Sequence, residues 1–200
     1  FTVCCFRYIL AGILLTIILK FRHPKKIEKQ DYKYIFLIGF FGYFLAVGSQ
    51  LLGIKLSNAT LPSLINSMNP IAIMVFAAIL LKERMTVRKG ISIVLAIAGA
   101  YVIIGGASVE GYFWGIMASL FALVVWAFIS VVVRRVTQKY DALQITAYGS
   151  VIAAVCNIPV AGFEIANTPG ITVDFPCVLG ILYMGIVCSA LGYLLGSGSL

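Results

Sequence analysis

The chain has few charges for its length, and this scarcity excludes an ordinary soluble domain. Charged residues make up 11% of the 200 residues, whereas soluble globular domains have about 25%. Hydrophobic residues make up 62%, and the mean hydropathy is +1.05. The composition therefore predicts that a lipid bilayer surrounds most of the chain.

The residue patterns of catalysis and metal binding are also missing. The chain has a single histidine, His23, and no Ser/His/Asp set, HExxH motif, P-loop or nucleotide-binding fingerprint. Its five cysteines lie within or at the edge of apolar stretches without CxxC or Cys/His spacing, which favours buried packing over disulfides. No Asp or Glu lies in the middle of an apolar stretch. We therefore expect no catalytic residue, no metal site and no cofactor, and we predict that the chain is not an enzyme.

Seven apolar stretches are present, and each is long enough for a helix to cross a bilayer. A membrane-spanning helix needs about 20 apolar residues for a hydrocarbon core of ~30 Å. The predicted spans are 1–19, 34–54, 59–81, 90–106, 113–133, 142–163 and 176–196. This pattern predicts an all-α polytopic membrane protein.

Lysine and arginine concentrate in three of the segments between these spans. Segments 20–33, 82–89 and 134–139 hold six, four and three of the 15 basic residues, and the other connections hold only Lys55. The positive-inside rule places the three basic segments on the cytoplasmic side. Because the bases lie beside spans and form no patch interleaved with aromatics, they favour contact with anionic lipid over nucleic acid.

Small residues on several spans predict close packing between helices. In lipid, where apolar burial does not drive helices together, such residues let two backbones approach each other. The residues concerned are Gly39, Gly42, Ala46 and Gly53, Ala96 and Ala100, Gly111 and Gly115, and Gly192 and Gly196.

An internal repeat relates the two ends of the chain. A shift of 143 positions lays the first span on the sixth and the second span on the seventh. In that register Gly42 falls on Gly185, and Leu51–Gly53 falls on Leu194–Gly196. The register predicts a repeat of five spans. Because five is odd, the second copy is expected to be inverted in the membrane, as in many secondary transporters.

Arg7 is the only charged side chain inside a predicted span. A charge within the bilayer is costly and marks a functional site by default. The alternative is that its long side chain extends to the outer interface. Both interpretations stay open.

The third span carries a polar face. Ser63, Asn66, Ser67 and Pro70 are spaced i, i+3, i+4 and i+7, and Asn69 flanks them. A proline inside a helix also leaves a backbone carbonyl without its donor. Such a face lines an aqueous cavity or bonds neighbouring helices together. Two prolines and several polar groups in one span favour a cavity that binds a solute.

Two further sets are weaker candidates for the cavity. On the fifth span, Ser119, Trp126 and Ser130 are spaced i, i+7 and i+11, and on the second span Tyr43 and Gln50 are seven apart. Trp126 is too deep for an interfacial aromatic belt, so it packs in the bundle or forms a pocket wall. Packing is the more common role for both sets.

Glu83 lies at the predicted cytoplasmic end of the third span, between Lys82 and Arg84. It is either an interfacial carboxylate paired with its neighbours or a gate or coupling residue. We keep it as the gate candidate.

Several segments resemble the EamA-type repeat of the drug/metabolite transporter superfamily. Asn69 to Thr86 followed by Lys89 to Val102 resembles the end of such a repeat, where a proline-containing helix leads to a Lys-Glu-Arg-x-Thr turn and a helix that opens with glycine. Phe6 to Tyr8 resembles the second helix of a repeat, and Leu182 to Leu194 resembles the third helix of a second repeat.

The resemblance implies ten helices in two inverted five-helix repeats, with both termini in the cytoplasm. The chain would then hold helices two to eight, with repeat 1 at residues 1–106 and repeat 2 at residues 113–200. One helix is expected before this chain and two after it. Arg7, Pro70 and Glu83 match motif positions of the family.

The predicted function is secondary transport, in the direction of export, of small organic metabolites such as amino acids or drug-like compounds. Alternating access through a central cavity is the expected mechanism, and a bacterial cytoplasmic (plasma) membrane is the expected location. The expected partners are the lipid bilayer and a small-molecule solute, with no nucleic acid; a homodimer stays open. The alternatives are a seven-helix receptor or sensor, and a nucleotide-sugar or sugar-phosphate carrier of the same superfamily. The receptor would lack a lysine in its seventh span for retinal, and the carrier would need more cationic residues in its cavity.

Overall fold

The computed structural model describes residues 2–21, 27–81, 90–91, 93–95, 98–99 and 112–167, and all regular secondary structure in these ranges is helical. Five helices in these ranges are long and apolar enough to cross a membrane. They contain 20 to 26 residues, which corresponds to about 30–39 Å at 1.5 Å per residue. Their lengths therefore match the thickness of a hydrocarbon core.

Five of the predicted spans are confirmed as helices, within a few residues at each end. Helices α2 and α3 run on as one long helix through a π-helical segment, and α4 and α5 meet at Met68. The bounds are α1 Thr2–Phe21, α2 Tyr32–Leu37, the π segment Ile38–Ala46, α3 Val47–Leu56, α4 Thr60–Ser67, α5 Asn69–Leu80, α6 Phe113–Val136 and α7 Ala142–Asn167. Within predicted span 90–106 the described residues are helical, and span 176–196 lies outside the described residues.

Large apolar side chains cover the outer faces of these helices. Phe21, Trp114 and Phe163 are 81%, 73% and 74% exposed, and many other large apolar side chains of the described helices are also exposed. Soluble proteins rarely expose contiguous apolar surface of this kind, because water penalises it. The chain is therefore an integral, multi-pass membrane protein.

The structure divides into two compact units, the first built from two separate segments of the chain and the second from one. The first comprises Phe1–Phe44 with Arg135–Leu200, and the second comprises Leu45–Arg134. Each unit therefore takes residues from both predicted repeats. The repeat boundaries at 106 and 113 stay a prediction.

In the first unit α1 packs along α7 in the opposite direction. Near one end, Leu15 and Leu19 of α1 form a buried apolar cluster with Leu143 and Ala147 of α7. At the other end, the backbone N–H and the hydroxyl of Thr2 donate to the Glu164 carboxylate at 2.8 and 2.9 Å. The two helices are thus antiparallel over their full length.

A polar cluster joins the segment before α2 to the segment between α6 and α7. Asp31 Oδ2 accepts hydrogen bonds from Lys139 Nζ at 2.8 Å and from the Tyr140 hydroxyl at 2.6 Å. Lys139 also pairs with Glu28 at 2.9 Å, and the Glu28 N–H donates to the Tyr140 hydroxyl oxygen at 3.1 Å. Residues of two of the three basic segments therefore lie at the same end of this unit.

The Asp31 cluster predicts a pH-dependent stability. Hydrogen bonds from Lys139 and Tyr140 hold the pKa of the Asp31 carboxyl below its ordinary value. These hydrogen bonds contribute fully to the stability of the folded state above the ordinary aspartate pKa of about 4. Their contribution to stability is lost as the pH falls through the lowered pKa of Asp31 in the folded state. We expect Asp31→Asn to lower the melting temperature of the full-length protein in detergent at pH 7 by about 1–3 °C, and by less at about pH 3.

Glu28→Gln is the matched control for this prediction. The Glu28 side chain is 62% exposed, against 16% for Asp31, so solvent screens its ion pair with Lys139 more strongly. Its effect on the melting temperature should be the smaller of the two. An Asp31→Asn effect of equal size at both pH values would contradict the assignment.

In the second unit α3 and α6 approach each other through glycine. A Cβ atom added to Gly115 of α6 would lie 2.7 Å from the Cβ atom of Ser57, beside the end of α3, and 3.0 Å from the Gly53 carbonyl oxygen. Both distances are shorter than ordinary carbon contacts of about 3.5–4.0 Å. The predicted packing role of Gly53 and Gly115 thus has a geometric basis.

Candidate functional site

The third long helix is broken in the middle of its polar face. Pro70, in the first turn of α5, has no N–H, so the Asn66 carbonyl loses the donor that a continuous helix would supply. Two residues earlier, the Met68 N–H donates to the backbone carbonyl of Ile65 at 3.1 Å. This bond spans three residues rather than four, so the turn is tighter than that of an α-helix. Irregular backbone at membrane depth occurs where it is buried in protein or lines a water-filled cavity.

Two asparagines flank this break and bond to each other. Asn69 Nδ2 donates to Asn66 Oδ1 across Met68. The hydroxyls of Ser63 and Ser67, by contrast, donate to carbonyls of their own helix at 2.6 Å each. All three of these hydrogen bonds stay within the span.

A third amide side chain approaches the break from α3. Gln50 follows the π segment Ile38–Ala46 by four residues, and its Nε2 donates to the Pro62 carbonyl oxygen at 3.2 Å. π-helical turns are rare and occur frequently at functional sites. The hydrogen bond ties α3 to α4 close to the paired asparagines.

A cavity of about 250 Å³ lies within the second unit, beside the helix break. Its described lining consists of three amide side chains, one indole and three apolar side chains: Gln50, Asn66, Asn69, Trp126, Ala46, Val47 and Ala122. The Asn69 Oδ1 atom is buried and has no hydrogen-bond partner among the described residues. A buried polar atom without a partner costs about 1–3 kcal/mol, and a solute that donates to it would remove this cost.

The chemistry of this lining is polar but uncharged. Among the described residues that line the cavity, none carries an ionisable side chain. Within the described ranges, no three His, Cys, Asp or Glu residues lie close enough together to hold a metal ion. The arrangement can exchange hydrogen bonds and provide an aromatic wall.

Two of the sequence-predicted site residues lie in the first unit. The Arg7 guanidinium is 5.7 Å from the centre of the Tyr8 ring, and its Nε is buried without a hydrogen-bond partner in the described part of the chain. Tyr43 stacks on Tyr8 with the ring centres 6.0 Å apart, and its hydroxyl lies 3.5 Å from Thr146 Oγ1. Neither Arg7 nor Tyr43 is among the residues that line the cavity.

The predicted serines of the fifth span are bonded within α6. Ser119 is fully buried and donates to the Gly115 carbonyl at 2.8 Å, and Ser130 donates to the Trp126 carbonyl at 2.8 Å. Neither serine lines the cavity, and Pro70 is exposed beside it. The gate candidate Glu83 lies outside the described residues.

Nearly all of the chain matches one known protein family. The EamA-like transporter family matches residues 1–105 and 113–200. The chain belongs to this family.

Relatives of this EamA-like chain are named as transporters. An "Uncharacterized transporter" of Archaeoglobus fulgidus is 26% identical over 188 residues, covering 94% of this chain and 66% of the relative. "Uncharacterized transporter YyaM" of Bacillus subtilis is 29% identical over 198 residues, with 94% and 64% covered. "Uncharacterized transporter YvbV" of the same organism is 27% identical over 190 residues, with 94% and 62% covered. The chain thus spans just under two thirds of the length of these relatives, and no solved structure matches it.

Sequence patterns did not identify the apolar part of the cavity in this EamA-like chain. Ala46, Val47 and Ala122 line it, and they carry no polar atom or spacing that separates them from the other apolar residues of their spans. Ala46 was expected only as a packing residue. The one available signal was their position, because each lies three or four residues before another lining residue.

Proposed function

We propose that the full-length protein is a secondary transporter that moves small organic solutes through this cavity by alternating access. The observation that carries the proposal is the amide-lined cavity at a helix break, in a chain of a transporter family. Secondary transporters typically build their solute sites from discontinuous helices, where unwound backbone and helix ends meet the solute. The break at Met68 supplies such a place.

The proposed architecture is a ten-helix bundle of two inverted five-helix repeats, of which this chain supplies helices two to eight. The 143-position register relates α1 to α7, and the antiparallel packing of these two helices agrees with an inversion. The two separate family matches, at residues 1–105 and 113–200, also support two repeats.

The proposed solutes are small metabolites such as amino acids or drug-like compounds, exported across a bacterial cytoplasmic membrane. The direction of transport rests on the family resemblance. Family membership favours the transporter over a seven-helix receptor.

The test is transport by the purified full-length protein in proteoliposomes, with a panel of tritiated amino acids and the uncharged drug chloramphenicol. We expect at least one panel member to cross, and Asn66→Leu to slow it about tenfold, because one hydrogen bond of about 1–1.5 kcal/mol is lost. Leucine has the same branched side-chain skeleton as asparagine and Asn66 is exposed, so the variant should retain its folded, monodisperse form on size-exclusion chromatography.

Asn167→Leu is the matched control. Asn167 is exposed in the last turn of α7, where its Nδ2 donates to the Phe163 carbonyl at 2.8 Å, and it does not line the cavity. This variant should transport normally. Normal transport by Asn66→Leu, or no movement of any panel member, would refute the proposed function.

A further inference from the structure

The hydrogen-bonding groups of the cavity specify a class of solute. We infer that the cavity selects an uncharged, amide-like solute. Such a solute donates a hydrogen bond to the side-chain carbonyl oxygen of Asn69 and accepts one from the side-chain amide nitrogen of Asn66. The inference rests on the proposed function and narrows its solute range, because it favours uncharged compounds over free amino acids.

The two asparagines bond to each other and leave further groups available to a solute. A primary amide has one carbonyl oxygen and two N–H donors. The bond from Asn69 Nδ2 to Asn66 Oδ1 uses one N–H and one carbonyl, so the pair still offers the Asn69 carbonyl and the Asn66 amide nitrogen. The buried Asn69 Oδ1 is the atom that has no described donor. A solute amide, with its adjacent N–H and C=O, is complementary to both.

The side-chain amide of Gln50 has a fixed orientation. Its Nε2 donates to the Pro62 carbonyl, and this bond assigns which end of the side-chain amide carries the nitrogen. Oε1 is therefore a second acceptor in the lining. Together with Asn69 Oδ1 the lining thus has two carbonyl acceptors, which favour a solute with more than one N–H or O–H group.

The described lining of the cavity is uncharged. Among the described residues of the lining there is no Lys, Arg, Asp, Glu or His to neutralise a charged solute. An ion moved from water to such a site loses hydration without gaining a counter-charge, which is far more costly than the transfer of an amide. An amide recovers its hydrogen bonds in the cavity.

Four compounds with the leucine side chain but different charges test whether the cavity prefers an uncharged solute. They are N-acetyl-L-leucinamide, which is uncharged, N-acetyl-L-leucine, which is an anion, L-leucinamide, which is a cation at about pH 6.5, and zwitterionic L-leucine. Binding of tritiated N-acetyl-L-leucinamide to the full-length protein in detergent, with competition by the other three, gives their relative affinities. We expect the uncharged derivative to bind at least about tenfold more tightly than each of the others.

Substitutions in the asparagine pair should change this preference predictably. Asn69→Leu removes the acceptor and should weaken binding of the uncharged derivative about tenfold. Asn69→Asp introduces a carboxylate of the same shape and should shift the preference towards L-leucinamide. Asn69 is partly buried, so a charge at this position can prevent folding. Asn66 is exposed and tolerates a charge better, so Asn66→Asp is the second variant. Asn167→Asp, at a residue that is not among those lining the cavity, should leave the order of affinities unchanged.

The outcomes distinguish this inference from the proposed function. Tighter binding of a charged or zwitterionic derivative, no binding of any of the four, or an unchanged preference in both folded aspartate variants would overturn the solute class. Transport of a panel member that depends on Asn66 would then still support the transporter. Conversely, if the uncharged derivative binds as expected and no solute crosses the vesicle membrane, the binding site stands and the transport proposal fails.

Discussion

Replacing Gly115 with valine is expected to leave little folded protein in the membrane. Even the first added carbon would lie 2.7 Å from the Ser57 Cβ and 3.0 Å from the Gly53 carbonyl oxygen. Both are held by backbone, so α3 and α6 would have to move apart by about 1 Å to restore normal contacts. Overpacking of this kind costs about 1–3 kcal/mol for a small group and more for a branched one. We expect low yields of monodisperse protein and a melting temperature lowered by about 10 °C in any protein recovered.

The matched control is Gly162→Val, on α7, because a Cβ atom at Gly162 meets nothing within 4 Å. It should accumulate at close to the normal level. Gly115→Ala should have an intermediate effect, and Ser57→Gly in the same chain should restore part of the lost stability by removing the nearest carbon. Normal folding of Gly115→Val would show that α3 and α6 are not in close contact at this point.

Replacing Pro70 with alanine is expected to lower the transport rate about 30-fold without loss of folding. Alanine restores an N–H at position 70, so the Asn66 carbonyl regains a donor and α4 can continue into α5. A continuous helix would move Asn69 relative to Asn66 and misplace both amides in the cavity. The loss of two hydrogen bonds to the solute, about 1 kcal/mol each, corresponds to about 30-fold in rate. Initial rates in proteoliposomes measure the effect, and the melting temperature should be unchanged or raised.

Pro159→Ala controls for the removal of a proline from a membrane helix. Pro159 is exposed within α7, and the helix stays continuous through it. It does not line the cavity, so transport by this variant should stay normal. If Pro70→Ala transported at the normal rate, the break at Met68 would not be required for the proposed transport.

Hydropathy alone predicted five of the helices, because the bilayer requires a long apolar segment for each crossing. The predicted span 142–163 and the observed α7, Ala142–Asn167, begin at the same residue. Which helices pack against each other was harder to predict. The packing of α1 on α7 joins residues more than a hundred positions apart, and the apolar faces of the spans do not differ enough to encode which helix each contacts.

The candidate site was predictable only where polar residues are rare. Asn66 and Asn69 stand out in an apolar span, and both line the cavity. The π segment could not be predicted, because its hydrogen-bonding pattern depends on local backbone geometry and its residues have the composition of an ordinary apolar helix. Ser119 was a candidate for the cavity because it is a polar residue in an apolar span. Its hydroxyl donates to the carbonyl four residues earlier, and this hydrogen bond competes with any role in solute binding.

The pairing of α1 with α7 also determines when the first unit can assemble during synthesis. The ribosome makes α7 about 120 residues after it completes α1, which takes roughly 6–24 s at 5–20 residues per second. During that interval Tyr8, which is buried in the finished unit, has no α7 to cover it. A ribosome that stalls after α6 would have delivered every described helix of the second unit and would leave α1 and α2 without their partner. Incomplete chains would therefore expose a polar aromatic side chain to lipid, a feature that membrane quality control can recognise.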